Sequence, residues 1–206
     1  MAPPKTAPDT GPMNRIGLRE RNKIRTRAAI RDAAMALFAQ HGYAQTTVEQ
    51  IAASAEVSHT TFFRYFTSKE QVVLDDGLEE ARQSLLEGIP PGMGHFDLVR
   101  HLVTGMHGLF IDDPWASNPE RLRLLLDEPA LRLANQVEAD ASIFDTNEFV
   151  SDYLGKSPDD QRLRVFMAAV GGVMFRAVEA VEVDNPSALL DTLLEAIDLL
   201  EQGLPL

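Results

Sequence analysis

Cysteine is absent from this 206-residue sequence, and tryptophan occurs once. The absence of Cys excludes a disulfide framework, a thiolate metal site and a cysteine nucleophile. No apolar run approaches the roughly 20 residues that a membrane-spanning helix needs. The proline-rich beginning, MAPPKTAPDTGPM, lacks the apolar core of a secretion signal. We therefore expect residues 1–16 to be a disordered tail and the protein to be cytoplasmic.

The sequence also lacks the motifs of common catalytic and cofactor sites. It has no Gly-rich phosphate loop, no Gly-x-Ser-x-Gly nucleophile elbow and no His-Glu-x-x-His zinc motif. His101 and His107 are six residues apart, so they do not share a helix face well, and no carboxylate pattern completes a site with them. The sequence therefore predicts no catalytic residues, no metal site and no cofactor.

Positive charge is scarce but concentrated near the beginning of the chain. The formal net charge is −12, yet the first 70 residues hold 10 Lys and Arg against 6 Asp and Glu. Such a distribution draws a polyanion to one end of the chain and repels it from the other. The same charges would also fit a solvated helix face. The basic cluster comprises Arg15, Arg19, Arg21, Lys23, Arg25, Arg27 and Arg31.

Residues 46–69, TTVEQIAASAEVSHTTFFRYFTSK, predict two short helices joined by a tight turn. Thr47 and Gln50 have the spacing of a capping box. Ser58 suits the N-cap of the second helix, on which Phe62 and Phe66 face inward. An apolar stripe at helical spacing marks the first helix: Val48, Ile51, Ala52 and Ala55. This pattern fits a helix-turn-helix that enters the DNA major groove, although periodicity alone also fits an ordinary helical hairpin.

With the preceding run ALFAQHGYAQTTV, this stretch resembles the DNA-binding domain of the TetR family of transcriptional regulators, over about Arg25 to Leu74. Two positions depart from the family pattern. Glu56 stands where Gly is usual in the turn, and Phe63 stands where Tyr is usual. The matching residues are Ala34, Leu37, Phe38, Gly42, Tyr43, Thr46, Thr47, Ile51, Ala52, Ala55, Val57, Ser58, Thr61, Phe62, Phe63, Phe66, Ser68, Lys69 and Glu70.

The resemblance implies which residues contact DNA. Thr47 and Lys69 are expected to hold phosphates, and residues 58–61 to face base edges or nearby phosphates. Because Phe63 has no phenolic O–H to hold a phosphate, Tyr65, Thr61 and Lys69 are the candidates to replace that contact, with Tyr65 expected on the DNA backbone. The expected DNA-binding set is Arg25, Thr46, Thr47, Ser58, His59, Thr60, Thr61, Phe63, Tyr65 and Lys69.

The whole sequence predicts an all-α fold of about nine helices in two domains. A three-helix helix-turn-helix domain is expected over residues 17–67, and a larger ligand-binding and dimerisation domain over residues 68–206. The first helix, about 17–41, has an apolar stripe of Ile24, Ala28, Ile30, Ala34, Leu37 and Phe38. From residue 69 onward, helices are expected at about 69–86, 95–112, 118–127, 129–154, 158–183 and 186–202, separated by Pro and Gly breaks.

The last two predicted helices are broadly apolar. TetR-like proteins are two-fold dimers through a bundle of their last two helices, so the resemblance implies a homodimer here. Core packing within one chain would use the same kind of residue. The expected dimerisation residues are Val170, Val173, Leu190, Leu193, Leu194 and Ile197.

The larger domain of TetR-like proteins encloses a mostly apolar ligand cavity, and Met and aromatic side chains suit such a cavity. They also suit an ordinary core. The candidates are Met106, Phe110, Trp115, Phe144, Phe149, Met167, Met174 and Phe175. We expect a sequence-specific transcriptional repressor that a small hydrophobic effector releases from a palindromic operator. A ligand-independent architectural DNA-binding protein and an activator of the same fold are the alternatives.

Overall fold

A computed structural model describes residues 17–180 and 187–204 of the chain, apart from the side chains at 136, 139–145, 175, 177–180 and 187. The described residues form helices and no strands, which confirms the all-α prediction. The predicted tail, residues 1–16, lies outside them. The helices are α1 (Leu18–His41), α2 (Val48–Ser54), α3 (His59–Tyr65), α4 (Lys69–Leu74), α5 (Glu79–Glu87), α6 (His95–Asp112), α7 (Pro119–Asp127), α8 (Pro129–Tyr153), α9 (Gln161–Ala180) and α10 (Ser187–Glu201).

The chain divides into two compact units, Met1–Val72 and Val73–Leu206. In the first unit the core lies among α1, α2 and α3, and Tyr43 is also buried in it. The predicted domain boundary after residue 67 stays a prediction. The buried apolar residues of this unit are Ile30, Ala33, Ala34, Phe38, Tyr43, Ile51, Ala52, Phe62, Phe66 and Val72.

The N-terminal part of α1 does not contribute to that core. The predicted apolar stripe is wrong at Ile24, which is 53% exposed, and at Ala28, which is also exposed. Residues 17–25 are all exposed, so the first two turns of α1 have no core to face. The stripe is buried only from Ile30 onward.

The predicted helix over residues 69–86 is wrong, because α4 ends at Leu74 and α5 begins at Glu79. Asp75 Oδ1 accepts a hydrogen bond from Gly77 N at 2.8 Å, and Asp76 Oδ1 accepts one from Leu78 N at 2.9 Å. Aspartate side chains that bond the backbone two residues ahead compete with helix continuation. Gly77 adopts a φ of 79°, which ends the helical path.

The C-terminal end of α4 is held by Arg121 of α7, whose side chain is buried. Its Nε donates to Val73 O at 2.6 Å and its Nη2 to Leu74 O at 2.9 Å, while Nη1 donates to Ala116 O at 3.0 Å. Burial lowers the pKa of Arg121, and Asp76 is the strongest of the carboxylates that counter this effect. The guanidinium thus donates to the Val73 and Leu74 carbonyls, which stand in the last turn of α4, where carbonyls lack partners within the helix.

The core of the second unit includes two apolar clusters of described residues. The first, between α6, α9 and α10, contains Val99, Val103, Val170, Leu193 and Ile197. The second contains Ile89, Leu98, Leu102, Val150 and Leu163. Phe166 packs against both clusters, so α9 joins them. None of the helices that the structure describes is both long and apolar enough to cross a membrane.

Candidate nucleic-acid interface

The first helix of the predicted helix-turn-helix begins with a complete capping box. Thr47 Oγ1 accepts a hydrogen bond from Gln50 N at 3.3 Å, and Gln50 Oε1 accepts one from Thr47 N at 2.8 Å. This confirms the capping predicted from the spacing of the two residues. Because Thr47 remains exposed, the beginning of α2 is open to a partner.

The turn between α2 and α3 contains Glu56 at a φ of 54°. The position is therefore one that glycine would occupy without strain, as the departure from the family pattern suggests. Glu56 N donates to Ala53 O at 3.1 Å and Val57 N to Ala52 O at 2.9 Å, so the turn closes despite its side chain. The strain costs about 1 kcal/mol.

The second helix, α3, begins at a hydroxyl cap and presents a polar surface. Ser58 Oγ accepts a hydrogen bond from Thr61 N at 3.0 Å and lies 2.8 Å from Thr61 Oγ1. Phe62 and Phe66 are buried, as predicted. The exposed residues of the helix are His59, Thr60, Phe63 and Arg64, whereas Thr61 and Tyr65 are half-buried.

One end of this surface is a small cluster around His59. Its Nε2 lies 3.6 Å from Glu49 Oε1. The rings of His59 and Phe63 meet edge to face, with centroids 4.7 Å apart. The backbone N–H of Glu49 and the Thr47 hydroxyl lower the pKa of Glu49, so this carboxylate is ionised beside the imidazole. The residues at the beginning of α2 and α3 therefore form one surface.

Lys69 anchors the segment between α1 and α2. Its Nζ donates to Tyr43 O at 3.0 Å and to Thr46 O at 3.1 Å, and it lies 4.4 Å from the centre of the Tyr43 ring. These two bonds leave one of the three ammonium N–H groups for a phosphate. Tyr43 Oη donates to Glu70 Oε1 at 2.7 Å, which ties the same segment to α4.

Thr46 differs from the other predicted DNA contacts, because its side chain is buried and its Oγ1 donates to Gly42 O at 2.9 Å. We therefore exclude its side chain from the contact surface. Sequence reasoning missed Arg64, which is exposed on α3 with its guanidinium 5.2 Å from the Tyr65 ring. The sequence feature that could have identified Arg64 is its position as a cationic residue between aromatic residues on the second helix. Arg25 is exposed on α1.

The predicted ligand-binding residues that the structure describes lie in different surroundings. Trp115 has a structural position, because its Nε1 donates to Asp75 O at 2.8 Å. Phe149 and Met167 pack against the second apolar cluster, and Met174 packs against the first. Met106 and Phe110 are half-buried on α6. The side chains of Phe144 and Phe175 lie outside the described ones.

A surface depression of about 410 Å³ occurs elsewhere, near the beginning of α9. It is lined by none of the predicted ligand residues, but by Gln161, Arg162, Val165 and Phe166. Among residues 17–180 and 187–204, no group of three or more His, Asp or Glu side chains is arranged to hold a metal ion.

Half of the predicted dimerisation residues belong to the core of a single chain. Val170, Leu193 and Ile197 are buried in the first apolar cluster, so they have no surface to offer a second copy. Val173, Leu190 and Leu194 are half-buried. Among the described side chains of α9 and α10, the exposed apolar or small residues are Val165, Ala168, Ala169, Gly172 and Leu199.

Comparison with known proteins matches both units. The family model for bacterial regulatory proteins of the tetR family matches residues 30–75, and the model for the MftR C-terminal domain matches residues 94–205.

Two curated relatives are transcriptional regulators. The HTH-type transcriptional regulator TcmR of Streptomyces glaucescens is 47% identical over 81 residues, which cover 38% of this chain and 36% of TcmR. The putative mycofactocin biosynthesis transcriptional regulator MftR of Mycobacterium tuberculosis is 26% identical over 193 residues, covering 93% of this chain and 96% of MftR. The solved fatty acid degradation regulator FadR of Bacillus halodurans shares the fold, with a TM-score of 0.52, 21% identity, and coverage of 87% of this chain and 96% of FadR.

Proposed function

Because the chain belongs to the TetR family and is a DNA-binding transcriptional regulator, we propose that it is a dimeric repressor of a palindromic operator. A small, mostly hydrophobic effector releases it from double-stranded DNA, and it acts in the cytoplasm. Regulators of this family bind DNA and small-molecule effectors and are dimeric. The observation that carries the proposal is the capped helix α3, whose polar face is exposed while its two inward phenylalanines are buried.

In this proposal the first residues of α3 contact the DNA bases. His59 and Thr60 are exposed and can reach base edges in the major groove. The hydroxyl and cationic groups around these two residues contact the phosphates. The proposed contact set is Arg25, Thr47, Ser58, His59, Thr60, Thr61, Phe63, Arg64, Tyr65 and Lys69.

Dimerisation in this proposal uses the outer faces of α9 and α10. Val165, Ala169 and Gly172 are spaced i, i+4 and i+7, so they lie along one exposed face of α9. Small residues let a helix of a second copy approach closely. Leu199 adds an exposed apolar side chain, 48% accessible, on α10. A two-fold dimer built this way presents two α3 helices to half-sites roughly 34–36 Å apart, or a multiple of that distance.

The effector in this proposal binds within the second unit. Half-buried Met106 and Phe110 on α6 support a mostly hydrophobic ligand, because such side chains adapt to apolar shapes. Release of DNA requires only that the effector prefer the non-binding conformation by a few kcal/mol. The similarity to MftR makes genes for biosynthesis of a small molecule the first class of target to search.

Selection of bound duplexes from a randomised DNA pool, at near-physiological salt, tests the proposal. A palindromic consensus is expected, and genes adjoining genomic copies of it would indicate the effector class. The His59→Ala variant is expected to change the consensus, whereas Lys69→Ala is expected to weaken all duplexes alike and to reduce the salt dependence. No enrichment, even with protein unfolded and refolded to remove bound effector, would contradict the proposal and favour an architectural DNA-binding protein.

A further inference from the structure

Phe63 is an exposed aromatic residue on the otherwise polar face of α3. Its side chain is 44% exposed, whereas those of Phe62 and Phe66 are 0% and 2% exposed. The exposed residues around it on the helix are His59, Thr60 and Arg64, all of which carry polar groups. The ring is thus the one large apolar group that the described part of α3 offers to a partner.

Two neighbouring rings hold Phe63 in place. Its centroid lies 4.7 Å from that of His59, at an interplanar angle of 62°, and 5.4 Å from that of Phe62, at 77°. Both contacts have the edge-to-face geometry that aromatic pairs favour. Phe62 is fully buried, so one support is fixed by the core. The exposed part of the Phe63 ring is therefore a positioned apolar surface.

The chemistry of the ring restricts what it can recognise on DNA. Phenylalanine has no hydrogen-bonding group, so Phe63 can bond neither a phosphate nor a base edge. The apolar feature of the major groove is the thymine C5-methyl group, for which Phe is a suitable contact. Cytosine, guanine and adenine present hydrogen-bonding groups there and no methyl.

We propose that Phe63 packs against the C5-methyl group of a thymine in each operator half-site. His59 and Thr60 then supply hydrogen bonds beside a methyl contact, and the operator requires thymine at a defined position. This inference rests on the proposed function, because it takes α3 to lie in the major groove.

Replacing thymine with deoxyuridine tests the proposal, because it removes the methyl group and keeps every hydrogen-bonding group of the base. Each thymine of the selected duplex is replaced in turn, in both half-sites, and the Kd is measured by fluorescence anisotropy at constant salt. At one position of the half-site, we expect the Kd to rise about fourfold for each half-site that carries deoxyuridine. This is the equivalent of about 0.8 kcal/mol for one methyl group. The other thymines are expected to show no change.

Substitutions in the protein assign the effect to Phe63. With Phe63→Ala, the thymine and deoxyuridine duplexes are expected to bind equally, and both more weakly than to the wild type. With Phe63→Tyr, the fourfold difference is expected to persist, because the ring remains. Tyr65→Ala is the matched control: it removes another aromatic ring of α3 and is expected to keep the difference. Should circular dichroism show that Phe63→Ala is unfolded, Phe63→Gln replaces it.

Three results would overturn the inference. These are a consensus without thymine, no methyl-sensitive position in the selected duplex, or a deoxyuridine effect that Phe63→Ala leaves intact. In each case the protein still selects a duplex, so the proposed function stands. Failure to select any duplex is instead a failure of the proposed function.

Discussion

Arg121→Met is expected to destabilise the second unit strongly, because it removes all donors from a buried site while keeping an unbranched, uncharged side chain there. Three carbonyl oxygens, those of Val73, Leu74 and Ala116, lose their guanidinium partner. A lost hydrogen bond costs about 1 kcal/mol net, and an unsatisfied buried acceptor costs more. Burying an uncharged Met avoids the desolvation cost of burying the guanidinium, and this offsets part of that loss. The expected decrease in the free energy of unfolding is therefore about 3 kcal/mol.

Urea unfolding followed by far-UV circular dichroism measures this change. Protein concentration is held constant, since the stability of the proposed dimer would depend on it. Arg121→Lys is expected to lower the free energy of unfolding less, because its ammonium keeps the charge and some donors. Some loss is still expected, because an ammonium cannot reproduce the planar arrangement of donors of a guanidinium. Arg132→Met on α8 is the exposed control, expected to stay within about 0.5 kcal/mol of the wild type. A loss at Arg121→Met no larger than that of this control would refute the reasoning.

Three further outcomes are expected. Glu56→Gly removes the strain of a φ of 54° and raises the free energy of unfolding by about 1 kcal/mol, measurable as a higher urea midpoint. Burial raises the pKa of Asp76, but hydrogen bonds from Arg82 and Leu78 N outweigh it and hold the pKa below the ordinary value for an aspartate. The stabilisation that ionised Asp76 supplies is therefore complete at pH values above the ordinary pKa of an aspartate. It is lost as the pH falls through the lower pKa of the folded state, so Asp76→Asn should lose less stability than the wild type over that pH range in an acid titration. Val165→Glu places a charge on the proposed dimer face, and sedimentation equilibrium should show a weaker dimer, with Arg132→Glu unchanged.

The helix-turn-helix was predictable in detail because its determinants are local. Thr47 and Gln50 are three residues apart, as are Ser58 and Thr61, so the hydrogen bonds that begin α2 and α3 can be inferred from spacing alone. The inward phenylalanines follow from helical periodicity. Arg64 was accessible to the same reasoning, because helical periodicity places it on a face of α3 away from the two inward phenylalanines.

The remaining features depend on distant partners, which spacing cannot show. The break after Leu74 requires Asp75 and Asp76 to bond the backbone, and Arg82 from α5 helps to hold Asp76 there through a 2.7 Å hydrogen bond. Likewise, an apolar residue on α9 or α10 is equally suited to its own core and to a second copy. Only the packing of α6 against these helices decides that Val170 and Ile197 belong to the core.

The shortness of α4 has a mechanical consequence. At 1.5 Å per residue, its six residues span about 9 Å, whereas the 18 residues predicted for a continuous helix would span about 27 Å. A long helix converts a small tilt at one end into a large displacement at the other, but a helix of fewer than two turns does not. The same rotation of the helix axis therefore displaces an end of α4 about a third as far as it would displace an end of an 18-residue helix.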